Sequence, residues 1–580
     1  MKLNVIQPCK WTLIVSSQAF CITAYAQTDI STINQLEQAQ FEQRKDLIKQ
    51  NINEPQVNLQ TDIQSINNTL PTNETPCFTI DTISIDVDAN YLNKFKGILK
   101  PITQGSNSII GQCIGQKGLS YIADQVQNEI LKKGYITTRV SIPEQDLNSK
   151  VLTLKIIPGL YNNVWLSDDS DKDVNTYNAI TMKTGDILNL RELETSLENF
   201  RLPQTSTTSI DIIPSIEDVS SEAYGVSDLL ITQKKSFPLG FLLTIDDSGN
   251  KDTGEYLGTL GITIDHPLQA NDVLYLSYTH TIDPWNNTDK KSNNDSIYAQ
   301  YIYPFRDWKL NLSYSDYTFN QTLAGLNNDI VYKGSTLESR AGLSKILYRN
   351  QHAKTKITLG GFKKSSKYYF DNEEIEVQRR KTAGWTLGLN HQQDTQVGKI
   401  NAGINYEKGT GAFSAIKSPE SYIGEADDRP SIVTAHIDTS IPFMVNQTNY
   451  YYQVGLVGQY TDDRVAPNER FIIGGRSTVR GVDSQQSIAG DEGLLIKQEI
   501  GRIFNPSAQF TLIPYITLDQ GLVYGDWTEY LSNNQLISST FGMKLYYPNF
   551  SLNGFIGKAL KAPKEVEKET VTGFSASVYY

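Results

Sequence analysis

The run from Phe471 to Asp483 holds the residues of this chain best suited to chemistry in a confined space. It contains two cations, Arg476 and Arg480, and glycines at positions 474, 475 and 481. Glycine permits a positive φ or a close approach to another wall. An arginine between glycines can reach into a narrow space and form a fork of hydrogen bonds with a carboxylate. A Gly-rich hairpin with ordinary surface arginines has the same composition, so the run alone leaves both interpretations open.

The rest of the chain offers little that could perform catalysis. It contains neither a nucleophile elbow nor a phosphate-binding loop, and its five histidines are scattered rather than clustered as metal ligands. We therefore expect no enzymatic activity, no cofactor and no metal. The formal net charge of −12 argues against a nucleic-acid partner.

The first 26 residues are typical of a secretory signal peptide. Lys2 and Lys10 supply the charged start, an apolar core follows, and Ala24-Tyr25-Ala26 forms the cleavage site. Removal of this segment would leave two cysteines, Cys77 and Cys113. An even pair in an exported chain predicts one disulfide, with two buried free thiols as the alternative. No later stretch has 18 apolar residues, so no transmembrane helix is predicted.

Residues 27–50 precede a linker. A helix is predicted from about residue 28, where Thr32 and Gln35 can form a capping box. The body of this helix is polar on nearly every face, so it has little apolar area to bury in a hydrophobic core. It could be a solvated tail or a helix inside a polar cavity. Residues 51–76 are rich in Asn, Gln, Thr and Pro and are predicted to be a flexible linker.

Two small α/β units are predicted next. In residues 77–158, strands are expected at 78–87, 135–142 and 151–157, around a helix that Gly134 ends. Residues 159–235 repeat this plan, with strands at 163–166, 209–214 and 226–231 and an apolar helical stripe from Leu190 to Phe200.

The last 345 residues, 236–580, have a different pattern. Apolar and polar residues alternate in several segments, for example from Trp308 to Ser315. A soluble sandwich also alternates, but the 32 tyrosines, the signal peptide and the aromatic C-terminal residue favour a transmembrane β-barrel. At roughly 20 residues for each strand and turn, the region holds about 16 strands.

The run described first resembles a loop of the two-partner secretion transporters (the TpsB family). The resemblance rests on Val479-Arg480-Gly481, on the preceding Phe471-Ile-Ile-Gly-Gly475 and on the following Gly490-Asp-Glu-Gly493. The run Gly134-Tyr-Ile-Thr-Thr-Arg139 resembles the first POTRA (polypeptide-transport-associated) domain of these transporters. Residues 364–379 resemble their mid-barrel strand pair, and residues 571–580 resemble the C-terminal signal of outer-membrane barrels, although Phe is the usual last residue where Tyr580 stands.

This resemblance implies a mainly β fold: a plug helix at 27–50, POTRA domains at 77–158 and 159–235, and an antiparallel barrel at 236–580. The loop around residues 471–493 would fold into the barrel lumen. Its Arg480 would pair with an aspartate on the inner wall, and the matching motif Ile513-Pro-Tyr-Ile-Thr-Leu-Asp519 makes Asp519 the expected partner, although Leu518 stands where the family often has Phe. Cys77 and Cys113 would then tie the first POTRA strand to the segment before its long helix.

The implied function is translocation of an unfolded exoprotein across the bacterial outer membrane, with the POTRA domains in the periplasm. The barrel would be monomeric and surrounded by outer-membrane lipid. The exoprotein could be a haemolysin, an adhesin or a contact-dependent-inhibition toxin. Two alternatives remain: a POTRA-type assembly factor that inserts outer-membrane proteins, and a surface adhesin or passive porin. Two repeats and a plug-like helix disfavour the first alternative, and the region 77–235 disfavours a porin.

Overall fold

The protein is described from a computed structural model. The described residues are 34, 37–38, 41–42, 44–45, 54–59, 69–71, 74–104, 108–215, 225–282, 292–323 and 328–580. The predicted signal peptide, residues 1–26, lies outside them. Within this part of the chain, no helix is long and apolar enough to cross a membrane.

The first α/β unit contains two small sheets and two α-helices. Its strands are β1 (Phe78–Ile80), β2 (Thr82–Asp86), β3 (Gln112–Ile114), β4 (Arg139–Ser141) and β5 (Val151–Ile157), and its helices are α1 (Lys100–Thr103) and α2 (Gln116–Lys132). β5 lies between β2, to which it is parallel, and β4, to which it is antiparallel. The helices cover the sheet with a buried apolar core that includes Phe95, Ile122, Val126 and Leu152.

Two predicted strands of this unit are shorter or divided in the structure. The strand predicted at 78–87 is interrupted at Asp81, whose amide donates to the carbonyl of Lys150 instead of continuing a ladder. The strand predicted at 135–142 extends only over β4. Tyr135 and Thr138 form turn hydrogen bonds after Gly134, which ends α2 with a φ of 91°. The backbone hydrogen bonds of the turn replace those that a strand would need.

The second α/β unit has the same sheet plan. It consists of β6 (Gly159–Leu166), α3 (Leu190–Phe200), β7 (Ser206–Pro214) and β8 (Gly225–Lys235). The last strand again lies in the middle, parallel to the first strand and antiparallel to the second. Asn189 caps α3 by accepting a hydrogen bond from the amide of Arg191. The strand order of the first unit is thus repeated in the second.

The remainder of the chain forms a closed antiparallel barrel. Its first strands are β9 (Leu239–Asp246), β10 (Leu257–Asp265), β11 (Val273–Thr281), β12 (Asn293–Phe305), β13 (Trp308–Leu323), β14 (Ile330–Arg349) and β15 (Ala353–Phe370), followed by the short β16 (Glu373–Glu374). Next come β17 (Arg380–Asp394), β18 (Lys399–Thr410), β19 (Ser431–Val445), β20 (Thr448–Tyr460) and the short β21 (Phe471–Ile473) and β22 (Ile488–Gly490). The last are β23 (Glu492–Ser507), β24 (Phe510–Tyr524), β25 (Gln535–Tyr547), β26 (Phe550–Lys561) and β27 (Thr570–Tyr579).

Closure is achieved by pairing of β27 with β9, which joins the two ends of the sheet. Setting aside β16 and the small β21–β22 hairpin, the described barrel has 16 strands, which confirms the predicted fold class. Apolar and polar side chains also alternate between the two faces of the strands. The apolar residues Leu312, Tyr314, Trp385 and Leu387 are exposed on the outer face, while polar residues face the lumen. Connections are short at the end that faces the α/β units and longer at the opposite end.

Candidate functional site

The connection between β20 and β23 folds into the barrel rather than away from it. Its β21–β22 hairpin and the turn that follows Gly475 bury apolar side chains against the inner wall. Val479 and Val482 are almost fully buried there, beside Leu495, Val523 and Leu536 of the wall. Burial of these side chains favours the inward position. The sequence could not show whether the loop folds into the lumen or away from it, because both positions need the same turns.

Three glycines of this lumen loop, at positions 474, 475 and 481, serve two purposes. Gly474 and Gly475 have φ values of 117° and 92°, a region that side chains rarely tolerate. Gly481 instead allows a close approach: a Cβ atom there would lie 2.8 Å from Cβ of Ser538 and 2.9 Å from the backbone of Lys558. Its amide donates to Oγ of Ser538 at 3.0 Å. Close packing at Gly481 therefore presses the neighbouring Arg480 against the wall.

Arg480 and Asp519 lie together in the lumen. Nε of Arg480 donates to Oδ2 of Asp519 at 2.8 Å, and Nη2 donates to Oδ1 at 2.8 Å. The amide of Arg480 also donates to Oδ2 at 3.1 Å. Asp519 is 0% exposed, and it points inward from β24 because Leu518 on the same strand points outward. This is the bidentate geometry in which arginine holds a carboxylate most firmly.

A second carboxylate, Glu499 of β23, completes the grip on the arginine. Nη1 of Arg480 contacts Oε2 of Glu499, and Lys544 of β25 contacts the other carboxylate oxygen. Burial lowers the pKa of Arg480, but its hydrogen bonds to Asp519 raise that pKa above the ordinary value. Glu499 was not among the site residues predicted from the sequence. The alternation of β23, in which Lys497 and Glu499 share the inward face, is the signal that could have found it.

Arg476, the other cation of the loop, contacts both ends of the barrel sheet. Nη1 donates to Oδ1 of Asp247, just after β9, at 2.6 Å. Nη2 donates to the carbonyl of Phe574 in β27 at 2.9 Å. The amide of Phe574 also donates to Asp247, at 2.8 Å. The lumen loop is thus attached at the place where the first and last strands meet.

The described residues of the segment 34–45 are helical and lie inside the barrel. Phe41 stacks on Tyr317 of β13 with ring centroids 4.7 Å apart. The hydroxyl of Tyr332 donates to Oδ1 of Asn34 at 2.7 Å, and Thr253 donates to Glu37 at 2.8 Å. Lys45 pairs with Glu338 of β14. The sequence of this helix is polar on nearly every face, and the structure packs it against an inner wall that is also polar.

Between this helix and the lumen loop lies a cavity of about 1220 Å³. Its lining includes Arg44 of the helix, Arg476 and Arg480 of the loop, and Asp438 and Lys399 of the wall. Charged and hydroxyl groups predominate over aromatic ones. Such a lining suits a water-filled passage in which no particular side chain is selected.

Cys77 and Cys113 are bonded in the first α/β unit, with Cα atoms 5.3 Å apart. The bond joins the start of β1 to β3, directly before α2. Nearby, the carboxylate of Glu74 accepts hydrogen bonds from the amides of Gly115, Lys117 and Gly118 at the start of α2. Desolvation acts to raise the pKa of Glu74, but the hydrogen bonds from these three amides together outweigh it and lower that pKa below its ordinary value.

One class of outer-membrane transport proteins is defined by three features: a closed 16-stranded barrel, small α/β units at the end with the short connections, and a loop that folds into the lumen. A model of the family described as haemolysin secretion/activation protein ShlB/FhaC/HecB matches residues 225–545, more than half of the chain. The chain therefore belongs to this family. A model of the ShlB-type POTRA domain matches residues 96–159, which cover most of the first α/β unit.

Relatives are similar over most of their length. Outer membrane transporter CdiB-2 of Burkholderia pseudomallei (strain 1026b) is 29% identical over 495 residues, which cover 82% of this chain and 80% of the relative. Hemolysin transporter protein HpmB of Proteus mirabilis is 23% identical over 452 residues, 77% of each chain. The structure of CdiB from Acinetobacter baumannii matches with a TM-score of 0.81 and 29% identity, covering 95% of this chain and 99% of that one. The predicted family and outer-membrane location are confirmed.

Proposed function

We propose that this protein secretes a partner exoprotein, captured unfolded in the periplasm, through the lumen of its barrel. The observation that carries the proposal is the Arg480–Asp519 fork, which fastens a long loop inside a closed polar barrel. A passive pore gains nothing from a charged contact that narrows its own lumen. A conduit that must stay shut between substrates benefits from this contact, because the loop can be held or released as a unit.

In this proposal the segment 27–50 is the plug. Its contacts with the wall are mainly polar, made by Asn34, Glu37 and Lys45, and one aromatic stack is added by Phe41. Such a helix can leave the lumen without exposing a large apolar face to water. The residues of the linker 51–76 would keep the released plug attached to the protein.

The α/β units at 77–158 and 159–235 act as two POTRA domains that receive the exoprotein. Their shared strand order supports a common role, and the outer strands of their sheets can pair with an extended chain. The outward aromatic and aliphatic residues of the barrel contact outer-membrane lipid, and one chain supplies the complete pore. Folding of the exoprotein outside the cell draws the chain forward, so the translocator itself performs no chemical reaction.

Secretion by cells that carry this protein and its exoprotein, a haemolysin, an adhesin or a contact-dependent-inhibition toxin, tests the proposal. We expect Arg480→Ala to reduce secretion severely while heat-modifiable migration of the barrel shows normal assembly. Arg379→Ala is the matched control, since Arg379 pairs with Glu374 and Glu376 in the connection between β15 and β17 and, among the described residues, forms no ion pair with the lumen loop or with Asp519. Normal secretion by Arg480→Ala would contradict the proposed role of the fork.

Channel recordings test the plug. Deletion of residues 28–50 should raise the single-channel conductance, because the helix then no longer fills the lumen. The conductance of the Arg379→Ala protein should equal that of the unaltered protein. An unchanged conductance in the deletion variant would refute the plug.

A further inference from the structure

Six linker residues, 54–59, lie in a narrow site between the second α/β unit and the barrel. One side of the site is α3, and the other is the turn between β14 and β15. The amide of Val57 donates to Oε1 of Glu198 at 3.1 Å, and the amide of Leu59 donates to Oε1 of Glu194 at 2.8 Å. The carbonyl of Val57 accepts from Nη2 of Arg349.

The site contacts this segment with the period of a β-strand. The carbonyl of Leu59 accepts from Arg191 at 3.4 Å, so both backbone groups of Val57 and of Leu59 have side-chain partners. The side chain of Val57 is 9% exposed, and that of Leu59 packs against the core of the second unit. Asn58 points the other way and donates to the carbonyl of Gln351 at 2.6 Å. Two alternate residues are bound through their backbones and their apolar side chains.

The groups that bind this segment are buried charges. Glu194 and Glu198 are 1% and 4% exposed. Arg349 reaches them from the end of β14, at 2.8 Å and 2.9 Å, and Lys354 contacts Glu198 at 3.3 Å. Burial of carboxylates is costly unless their hydrogen-bonding capacity is used. The amides of an extended peptide donate hydrogen bonds to these carboxylates in addition to the contacts made by the cations.

We propose that this site binds an extended segment of the secreted polypeptide with apolar residues at alternate positions, and that Val57-Asn58-Leu59 occupies it in cis. The inference rests on the proposed function. Alternating apolar residues are the pattern of β-strands, so a β-rich exoprotein offers many such segments. A site that binds mainly the backbone suits a transporter whose cargo passes through it residue by residue.

Occupation in cis makes the site respond to cargo. A tethered segment competes at an effective concentration of about millimolar, so an incoming chain succeeds once the exoprotein is held nearby by the α/β units. Displacement of Val57 and Leu59 then frees the linker that follows the segment 27–50. Glu54, which pairs with Lys309 of the barrel at 2.9 Å, is the next contact toward that segment. Capture of cargo and loosening of the lumen helix are thereby coupled.

The test uses the full-length protein in detergent and a fluorescent peptide with the sequence of residues 54–60. The variant Val57→Asp, Leu59→Asp places two carboxylates beside Glu194 and Glu198 and so empties the site. We expect the peptide to bind this variant at least about tenfold more tightly than the unaltered protein. Equal binding to both proteins, or binding to neither, would overturn the proposal.

Modified peptides test the mode of binding without altering the protein. N-methylation at the position of Val57 or Leu59 removes an amide that donates to a glutamate, and should weaken binding about tenfold or more. N-methylation at the position of Asn58 is the matched control, since among the described residues its amide meets no acceptor. An equal effect at all three positions would refute binding through alternate amides.

Secretion separates this inference from the proposed function. If the unaltered protein secretes its exoprotein but the peptide fails to bind the emptied variant, the site is wrong and the function stands. If the unaltered protein does not secrete, the proposed function fails whatever the peptide does. Tight peptide binding together with slower secretion by Val57→Asp, Leu59→Asp is the result we expect, because the altered linker no longer leaves the site in step with cargo.

Discussion

Removal of the guanidinium at position 480 should shift the lumen loop from its attached to its released position, and the size of this shift can be calculated. Arg480 is the bidentate partner of Asp519, which is 0% exposed, and it also contacts Glu499. Arg480→Ala would leave Asp519 without a compensating charge. Loss of one partner of a buried pair costs about 3–5 kcal/mol, so the equilibrium between attached and released loop should shift by roughly 100- to 4,000-fold. The packing of Val479 and Val482 opposes release and remains in place.

Hydrogen exchange of residues 471–490 in the purified protein measures this shift. We expect the opening free energy of these amides to fall by about 3–5 kcal/mol in Arg480→Ala. Arg480→Lys should fall between the two proteins, since an ammonium group keeps the charge but cannot form the fork. Adding Asp519→Asn to Arg480→Ala should restore part of the protection, because it removes the buried charge that the first substitution leaves without a partner. Unchanged protection in Arg480→Ala, equal to that of the Arg379→Ala control, would refute the reasoning.

Three further outcomes are expected. Lys45→Met removes the ion pair that holds the lumen helix to Glu338, which keeps only Arg340 as a partner, and should increase the frequency of channel opening in planar bilayers; an unchanged record would contradict the role of this contact. Replacing Cys77 and Cys113 together with serine should lower the unfolding free energy of the first α/β unit by about 2–4 kcal/mol, and an unchanged thermal midpoint would show that the bond adds no stability. Burial, reinforced by Asp186, raises the pKa of Glu192 from its ordinary 4.5 to about 6. The folded state therefore binds this proton more tightly, so about 2 kcal/mol of stability should be lost as the pH rises from 4.5 through 6; Glu192→Gln should remove that part of the pH dependence of urea unfolding, and identical pH profiles would contradict it.

Much of the architecture follows from local patterns. The alternation from Trp308 to Ser315 predicts both a strand and its outward face, because side chains alternate across a sheet. The helix from Leu190 to Phe200 follows from its apolar spacing, and the structure adds a cap at Asn189. Errors occur where tertiary hydrogen bonds decide the backbone, as at Asp81 and at the turn after Gly134. A single sequence has no local signal for such partners.

The site was predictable only in part. The chemistry of Arg480 is evident from its glycine neighbours, and the choice of Asp519 came from resemblance to a family motif. Glu499 was not predicted as a partner of Arg480, because an acidic residue in an alternating strand is also typical of an ordinary lumen wall. The contacts of Arg476 with Asp247 and Phe574 could not be foreseen, since they join residues about 100 to 230 positions apart that only barrel closure brings together.

Photocrosslinking from neighbouring wall positions tests most directly whether an unfolded chain passes through the barrel. A crosslinking amino acid at Asp438, which lines the lumen, should capture an exoprotein that is stalled during secretion. The same amino acid at Ile437, which is 44% exposed on the outer face, should capture none. Efficient crosslinking at Asp438 alone is the result we predict. Equal crosslinking at both positions, or crosslinking at Ile437 alone, would contradict translocation through the lumen.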